Sequence, residues 1–478
     1  MVMTMSILKL SKSDFLDFRH CAKSFWLKQN NPSAISWPAP GAFDRMLMKD
    51  GYKVEAEAKR LVADWADSDM CTFQRIFEDE NLYARADLVR ENADGSLDIY
   101  EIKGSTSLKS SSGDDHIDDA CFQTIVAERA GHTVSSVFII HADGDYVREG
   151  EIDPGALLTI VDVTKLVRER KPSIEIEVEQ ALELMLEDSI DEKGCSCRQI
   201  GSRDKQCASF DYFNPDISHP SAYFLPRISK KRLIALDDEG RLAIEDMTED
   251  DITKTQLPVL RALTTGQPVI NRDGISAFVD ALSWPLHFYD YETFASAVPI
   301  ADGHRPQQAM PVQFSLHKLH EDGTLDHFEY LATRPGQQAE LVEALQKGFS
   351  PNGSAIVWNQ SFEMSCNKRM AQLLPSAAAF LEDVNERTAD LMDVFKADYV
   401  DRGFEGSTSI KKVLPVLCPH LEYAKDAVHD GGGAMEAWIN MVNAETNEVQ
   451  QQLAGELRAY CKLDSLAMVE IFRFLQKI

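Results

Sequence analysis

Apolar positions along this chain recur at two spacings, near 3.6 and 2, and the switches between them outline the elements. Phe15, Phe18, Cys21 and Phe25 recur at helical spacing, which predicts a helix over 8–28 with Ser13 as its cap. A second helix is predicted over 51–66. Segments 82–89 and 97–102 flank Asn92-Ala93-Asp94-Gly95-Ser96, a strong turn signal, and predict a hairpin. A helix over 117–130, a hairpin of 134–141 with 145–152 around Asp143-Gly144-Asp145, and a helix near 175–188 follow. A cysteine-bearing stretch, 194–213, comes next.

From 220 to 283 short helical stretches alternate with breaks, and basic Lys230-Lys231-Arg232 precedes an acidic run over 245–251. Beyond Trp284-Pro285 the pattern turns to strands at 286–292, 312–319 and 325–331, the last two joined around Asp322-Gly323. A strand at 355–358 runs into a helix at 361–373, and a long helix covers 448–476. Three strands followed by strand–helix alternation suit a mixed sheet. The expected organisation is α/β, with a domain over 1–215, a helical connector over 216–283 and a second domain over 284–478.

With 478 residues, 44% of them hydrophobic, the chain can build two or more cores. No apolar run approaches the roughly 20 residues of a membrane span. Met1-Val2-Met3-Thr4-Met5-Ser6-Ile7 has no charged region of signal-peptide type. The expectation is a cytoplasmic protein without membrane contacts. Nine cysteines in that setting argue against a disulfide framework and leave metal ligation or burial. A net charge of -28 argues against broad, non-specific duplex binding, which relies on basic surface to displace counterions. A groove with local Lys and Arg and bound metals stays compatible with that charge.

Two acidic constellations stand out. Asp290 and Glu292 lie two apart on a predicted strand and so share a face. Tyr460 and Asp464 lie four apart on the last helix and are neighbours there. With Val357-Trp358-Asn359-Gln360-Ser361-Phe362-Glu363 between them, these motifs resemble the tyrosine subgroup of the DEDD exonucleases, in order and on the expected elements. The resemblance spans 284–478 and implies a ribonuclease H-like fold and 3′ to 5′ exonuclease chemistry. It further implies that Asp290, Glu292 and Asp464 hold magnesium or manganese, hard cations that prefer oxygen ligands. One metal would lower the pKa of the attacking water and another would stabilise the leaving oxygen, with Tyr460 orienting or deprotonating that water. Glu363 stands where the family commonly has Asp. Asp430-Gly431-Gly432-Gly433 is expected to be a flexible loop.

Upstream, centring the first hairpin near Asp94 sets Asp87 across from Glu101, and Glu101 shares a face with Lys103. A solvated hairpin with a cross-strand ion pair would carry the same residues. Together with Gln123 in the following helix, they resemble the PD-(D/E)XK core of RecB-type nucleases. That family implies metal on Asp87 and Glu101, and Lys103 positioning the water. The chain departs from it at Ala127, where a Tyr is common, and at Val54, where a His often joins the metal; Glu55 is the candidate substitute. Cys21 with Cys195, Cys197 and Cys207 matches, in number and chain position, the ligands that RecB-like exonucleases use for a [4Fe-4S] cluster. The spacing departs, with Phe213 where a final Cys would fall, and zinc or plain burial are the alternatives. Cys71, Cys121, Cys366, Cys418 and Cys461 read as packing residues.

Taken whole, the chain resembles a bacterial family joining a RecB-like nuclease domain to a ribonuclease H-like exonuclease domain. A metal-dependent nuclease acting on single-stranded DNA or RNA ends is the implied function. A non-catalytic nucleic-acid-binding or defence-complex subunit with degenerate nuclease folds is the alternative.

Overall fold

The structure, a computed structural model, describes residues 9–110, 115–423, 428 and 430–478. It is mixed α/β and divides into two units. Unit 1 comprises Met1–Pro40, Asp44–Asp216 and the excursion Ser296–Gln307; unit 2 comprises Gly41–Phe43, Ile217–Ala295 and Gln308–Ile478. The region expected as a connector thus belongs to unit 2.

In unit 1 the order is β1 (Leu10–Ser11), α1 (Lys12–His20), α2 (Ala22–Asn30), α3 (Ala42–Ala63), β2 (Cys71–Glu78), β3 (Leu82–Glu91), β4 (Leu97–Lys103) and α4 (His116–Arg129). There follow β5 (Val134–Ala142), α5 (Pro154–Leu157), β6 (Leu158–Asp162), α6 (Thr164–Met185) and α7 (Phe210–Phe213). One sheet runs β1-β3-β4-β5-β6, with β2 also on β3. Antiparallel β3–β4 pairs Leu88 with Tyr100, so the next step sets Asp87 level with Glu101, the expected register. Helix α4 is buried from His116 to Ala127, polar residues included, because it packs on both the sheet and α6.

Three expectations for this unit fail for identifiable reasons. The helix expected over 8–28 is two helices, broken at Cys21, whose backbone is extended (φ -157°, ψ 102°); its expected first residue lies outside the described residues. Ser11, not Ser13, caps α1, in a capping box with Asp14. The hairpin expected with 145–152 does not form, because that backbone bonds elsewhere: the Arg148 N–H donates to the His304 carbonyl (3.0 Å), Arg148 accepts from the Gly303 N–H (2.9 Å), and the Gly150 N–H donates to Asp302 (2.9 Å). Strand β6 takes the place on β5.

Unit 2 contains α8 (Lys230–Asp238), α9 (Leu257–Thr265), β7 (Val269–Ile270), α10 (Arg272–Asp280), β8 (Leu286–Phe294), β9 (Met310–Leu319), β10 (Leu325–Leu331), α11 (Gln338–Gly348), β11 (Ala355–Val357) and α12 (Gln360–Leu373). After these come α13 (Ala378–Glu386), β12 (Thr388–Asp390), α14 (Met392–Ala397), β13 (Tyr399–Val400), α15 (Ile410–Leu417), α16 (Gly431–Val442) and α17 (Asn447–Leu475). Its main sheet runs β10-β9-β8-β11-β12, antiparallel among the first three strands and parallel from β8 onwards. Helix α17 packs on β8 and β9 and carries Ala467, Met468, Ile471 and Phe472 into one core, while Tyr289 and Tyr291 enter the other. The expected loop at Asp430 is instead a helix start: Asp430 caps α16 and accepts from the Gly433 N–H (2.6 Å), so these glycines form its first turn.

Candidate metal centres

Alternation along β8 places Tyr289 and Tyr291 in the core, where both meet Asn367, and turns Asp290 and Glu292 to the other face. Helix α17 crosses that face and brings Tyr460, Cys461 and Asp464 to it; Asp464 is buried. Glu363, on the first turn of α12, is buried from a third direction, and its Oε2 has no hydrogen-bond partner. The Asn359–Gln360 end of α12 is held by Asp390, which accepts from both backbone N–H groups (3.0 and 3.2 Å).

The electrostatics of this pocket are lopsided. Burial, then Asp464, Glu292 and Glu363, hold the Asp290 carboxyl well above its usual range. Burial and Asp464 do the same to Glu292, against the charge of Lys411. Burial lifts Glu363 to about 8. Burial lifts Asp464 to about 6, opposed by a hydrogen bond from the Tyr423 hydroxyl (2.5 Å) and by Lys411. Clustered acids that can ionise together only beside a cation are the donor set of a hard divalent metal. Asp290, Glu292 and Cys461 offer ligand atoms within 4.8 Å of one another.

Several of these residues escape sequence reasoning. Lys411 donates to the Tyr460 hydroxyl (2.9 Å) and lies over the Tyr460 and Tyr423 rings. Burial and Asp464 push the Tyr460 phenol upwards, so it stays protonated. Cys461, expected to be mere packing, has its Sγ 3.9 Å from Asp290 Oδ2. It lies three before Asp464 on α17, a helical spacing that shares a face and is the one signal that marks it.

In unit 1 the structure gathers Asp87, Glu101, Lys103 and Gln123. Glu101 is buried and accepts from Lys103 Nζ (2.8 Å), from Lys12 Nζ (2.6 Å) and from Gln123 Nε2. Lys103 also pairs with Asp119. Burial works to raise Glu101, but Lys103 and Lys12 outweigh it and hold the carboxyl below its usual range. Burial and Glu101 lift Asp87 to about 7, against a hydrogen bond from the Ile102 N–H (2.9 Å). In this centre two cations, Lys12 and Lys103, bond the buried acid directly. Val54 packs in an apolar cluster and Glu55 pairs with Lys59 (2.8 Å), so both are engaged in α3 packing and pairing. Ala127 and Phe213 are core residues.

Cys21, Cys195, Cys197 and Cys207, all buried, converge with their sulfurs within 4.8 Å of one another. Among the described residues, no helix is long and apolar enough to cross a membrane.

Residues 287–409, which hold Asp290, Glu292 and Glu363 but not α17, match the family model of a domain of unknown function, DUF2779. The chain is 27% identical over 212 residues to the uncharacterized MG366 homolog of Mycoplasma pneumoniae, covering 40% of this chain and 32% of that protein. It is 25% identical over 215 residues to uncharacterized protein MG366 of Mycoplasma genitalium, with the same coverage. It is 24% identical over 271 residues to uncharacterized protein UU173 of Ureaplasma parvum, covering 50% of this chain and 39% of that protein. The matched stretch is about a third of the length of the first two relatives.

Proposed function

We propose that this chain is a metal-dependent nuclease that hydrolyses phosphodiester bonds at DNA or RNA ends. Its 3′ to 5′ exonuclease centre would be the pocket of unit 2. The observation that carries the reading is the arrival of Asp290 and Glu292 from β8, Glu363 from α12 and Asp464 from α17 at one electronegative site. The β10-β9-β8-β11-β12 sheet supports a ribonuclease H-like class, since it supplies the three antiparallel strands and the parallel continuation expected of that fold.

Asp290, Glu292 and Asp464 would hold magnesium or manganese, with Glu363 as a further acid. Such ions supply water activation and stabilisation of the departing oxygen. The chain's own part is positional. Tyr460, kept as a phenol, is a hydrogen-bond donor at the pocket, which favours orienting a water over deprotonating it. Tyr423 fixes Asp464 through its hydroxyl. Lys411 brings a positive charge to the acidic cleft, which would draw in a phosphate in spite of the net charge of -28. Asp87, Glu101, Lys103 and Gln123 are assigned as a second centre of PD-(D/E)XK type, on the support of the β3–β4 register and α4.

Digestion of end-labelled single-stranded oligonucleotides with magnesium or manganese tests the proposal. The wild type should shorten the strand stepwise and Asp290→Ala should not, with Asp87→Ala reporting on the second centre. If neither substitution lowers turnover, the nuclease reading is wrong. A wild type that binds the strand but never cuts it would indicate the degenerate, binding-only alternative.

A further inference from the structure

The four-cysteine group belongs to neither acidic centre. Cys21 sits in the extended break between α1 and α2. Cys195 and Cys197 flank the first residue of a single 3-10 turn, Ser196–Gln199, and Cys207 follows a second such turn, Arg203–Lys205. The backbone is shaped for this: Gly194, before Cys195, has φ +66°. We infer that Cys21, Cys195, Cys197 and Cys207 hold a single zinc ion in a closed tetrahedral thiolate site, fastening the α1–α2 junction to the segment after α6.

Spacing decides between one ion and a cluster. Zn–S bonds of about 2.3 Å set the sulfurs of a tetrahedron about 3.8 Å apart. Cys195 Sγ and Cys207 Sγ stand 3.9 Å apart, and the whole set lies within 4.8 Å. A disulfide would need about 2.05 Å, and none is formed. A four-iron cluster puts four irons and four sulfides between the same thiolates, so the cysteines would have to spread apart to admit it. One intervening residue between Cys195 and Cys197 restricts that spread.

The surroundings suit thiolates. Asn214 Nδ2 donates to Cys195 Sγ (3.3 Å), and the Cys207 N–H donates to Cys197 Sγ (3.4 Å). Ser209 Oγ lies 3.6 Å from Cys207 Sγ. Such outer contacts orient sulfur ligands and spread their charge. Four protein ligands leave no open position, which marks a structural site and not a catalytic one. Two further ties join the same segments: Trp26 Nε1 donates to the Glu187 carbonyl (2.8 Å) and Lys23 Nζ to that of Lys193 (3.0 Å). The zinc assignment stands whether or not the acidic centres cut nucleic acid.

The test is elemental analysis of the full chain purified without oxygen, followed by titration with an organomercurial in the presence of a zinc-indicator dye. One zinc per chain is expected, with no visible chromophore and no acid-labile sulfide, and it should be released as the thiols react. Cys197→Ser should lose this zinc and Asp290→Asn should keep it. If Cys197→Ser does not fold, cobalt exchanged into the wild type decides instead, through an intense sulfur-to-metal charge-transfer band. A brown protein with iron and sulfide would overturn the inference. So would a metal-free protein with four freely reactive thiols, or zinc that leaves with Asp290→Asn.

Discussion

At the scale of single residues, the unit 2 pocket stores unfavourable charge. Asp290, half-buried, sits beside Glu292, Asp464 and Glu363, and burial of these three limits the solvent that would screen the group. Asp290→Asn should therefore stabilise the metal-free protein, raising Tm by roughly 2–4 °C for each kcal/mol of repulsion relieved. The same variant should lose the stabilisation that manganese gives the wild type. Differential scanning calorimetry with and without the metal reads both effects. Stability gained where function is lost is the usual mark of a site built against the fold's preference. Tyr460→Phe tests the role proposed for the phenol: if it positions and does not ligate, turnover should fall while the manganese-induced shift survives.

At the scale of elements, close packing around β8 holds that pocket's frame. Buried His287 accepts from the Ser350 N–H at Nε2 (3.0 Å) and donates from Nδ1 to the Ser354 carbonyl (3.2 Å), which requires a neutral ring. Burial accordingly lowers its pKa to about 4. Between the ordinary value of about 6.5 and that one, the unfolded chain takes up a proton that the folded chain refuses, so stability falls as pH falls through this window. The loss amounts to at most about 3 kcal/mol, and His287→Gln should lack it when denaturant midpoints are compared at pH 7 and 4.5. Gly353 supports the same strand. It has φ +100°, and an added Cβ would lie 2.0 Å from the Pro285 carbonyl oxygen. Gly353→Ala should cost about 1–3 kcal/mol in the same measurement.

What was legible at this scale follows from range. The D-x-E pair on β8 needs only the period of a strand, and the Asp87–Glu101 register needs only the turn between them. Lys12 meets Glu101 across 89 residues, and no local pattern announces such a pair. Lys411 and Tyr423 reach Tyr460 and Asp464 in the same non-local way. Strand β2 gives no local signal, because only one of its residues is buried and no alternation of buried and exposed positions results. The failed hairpin at 145–152 has the local signals of a strand, and its backbone partners lie some 150 residues away.

For the whole molecule, the acid pocket sets a pH dependence of its own. Glu363 at about 8 holds a proton up to that pH that the unfolded chain has already released, and Asp464 at about 6 does so in the lower part of the range. The folded state thus binds more protons in this range, and metal-free stability should fall as pH rises from 6 to 8. Protons and cations compete for the same oxygens, so the stabilisation by magnesium or manganese should grow over the same interval. Thermal unfolding at pH 6, 7 and 8, with metal and with chelator, should give curves that diverge as pH rises. Parallel curves would mean that the carboxylates do not bind the ion.

The claim on which the functional reading rests is that acids from β8 and α17 share one cation pocket. Calorimetric titration of manganese into metal-depleted protein at pH 8 measures this directly, with Asp290→Asn and Asp464→Asn beside the wild type. Saturable binding that weakens about tenfold or more in each variant is the expected result. Equal affinity in all three proteins, or no binding to the wild type, would contradict it.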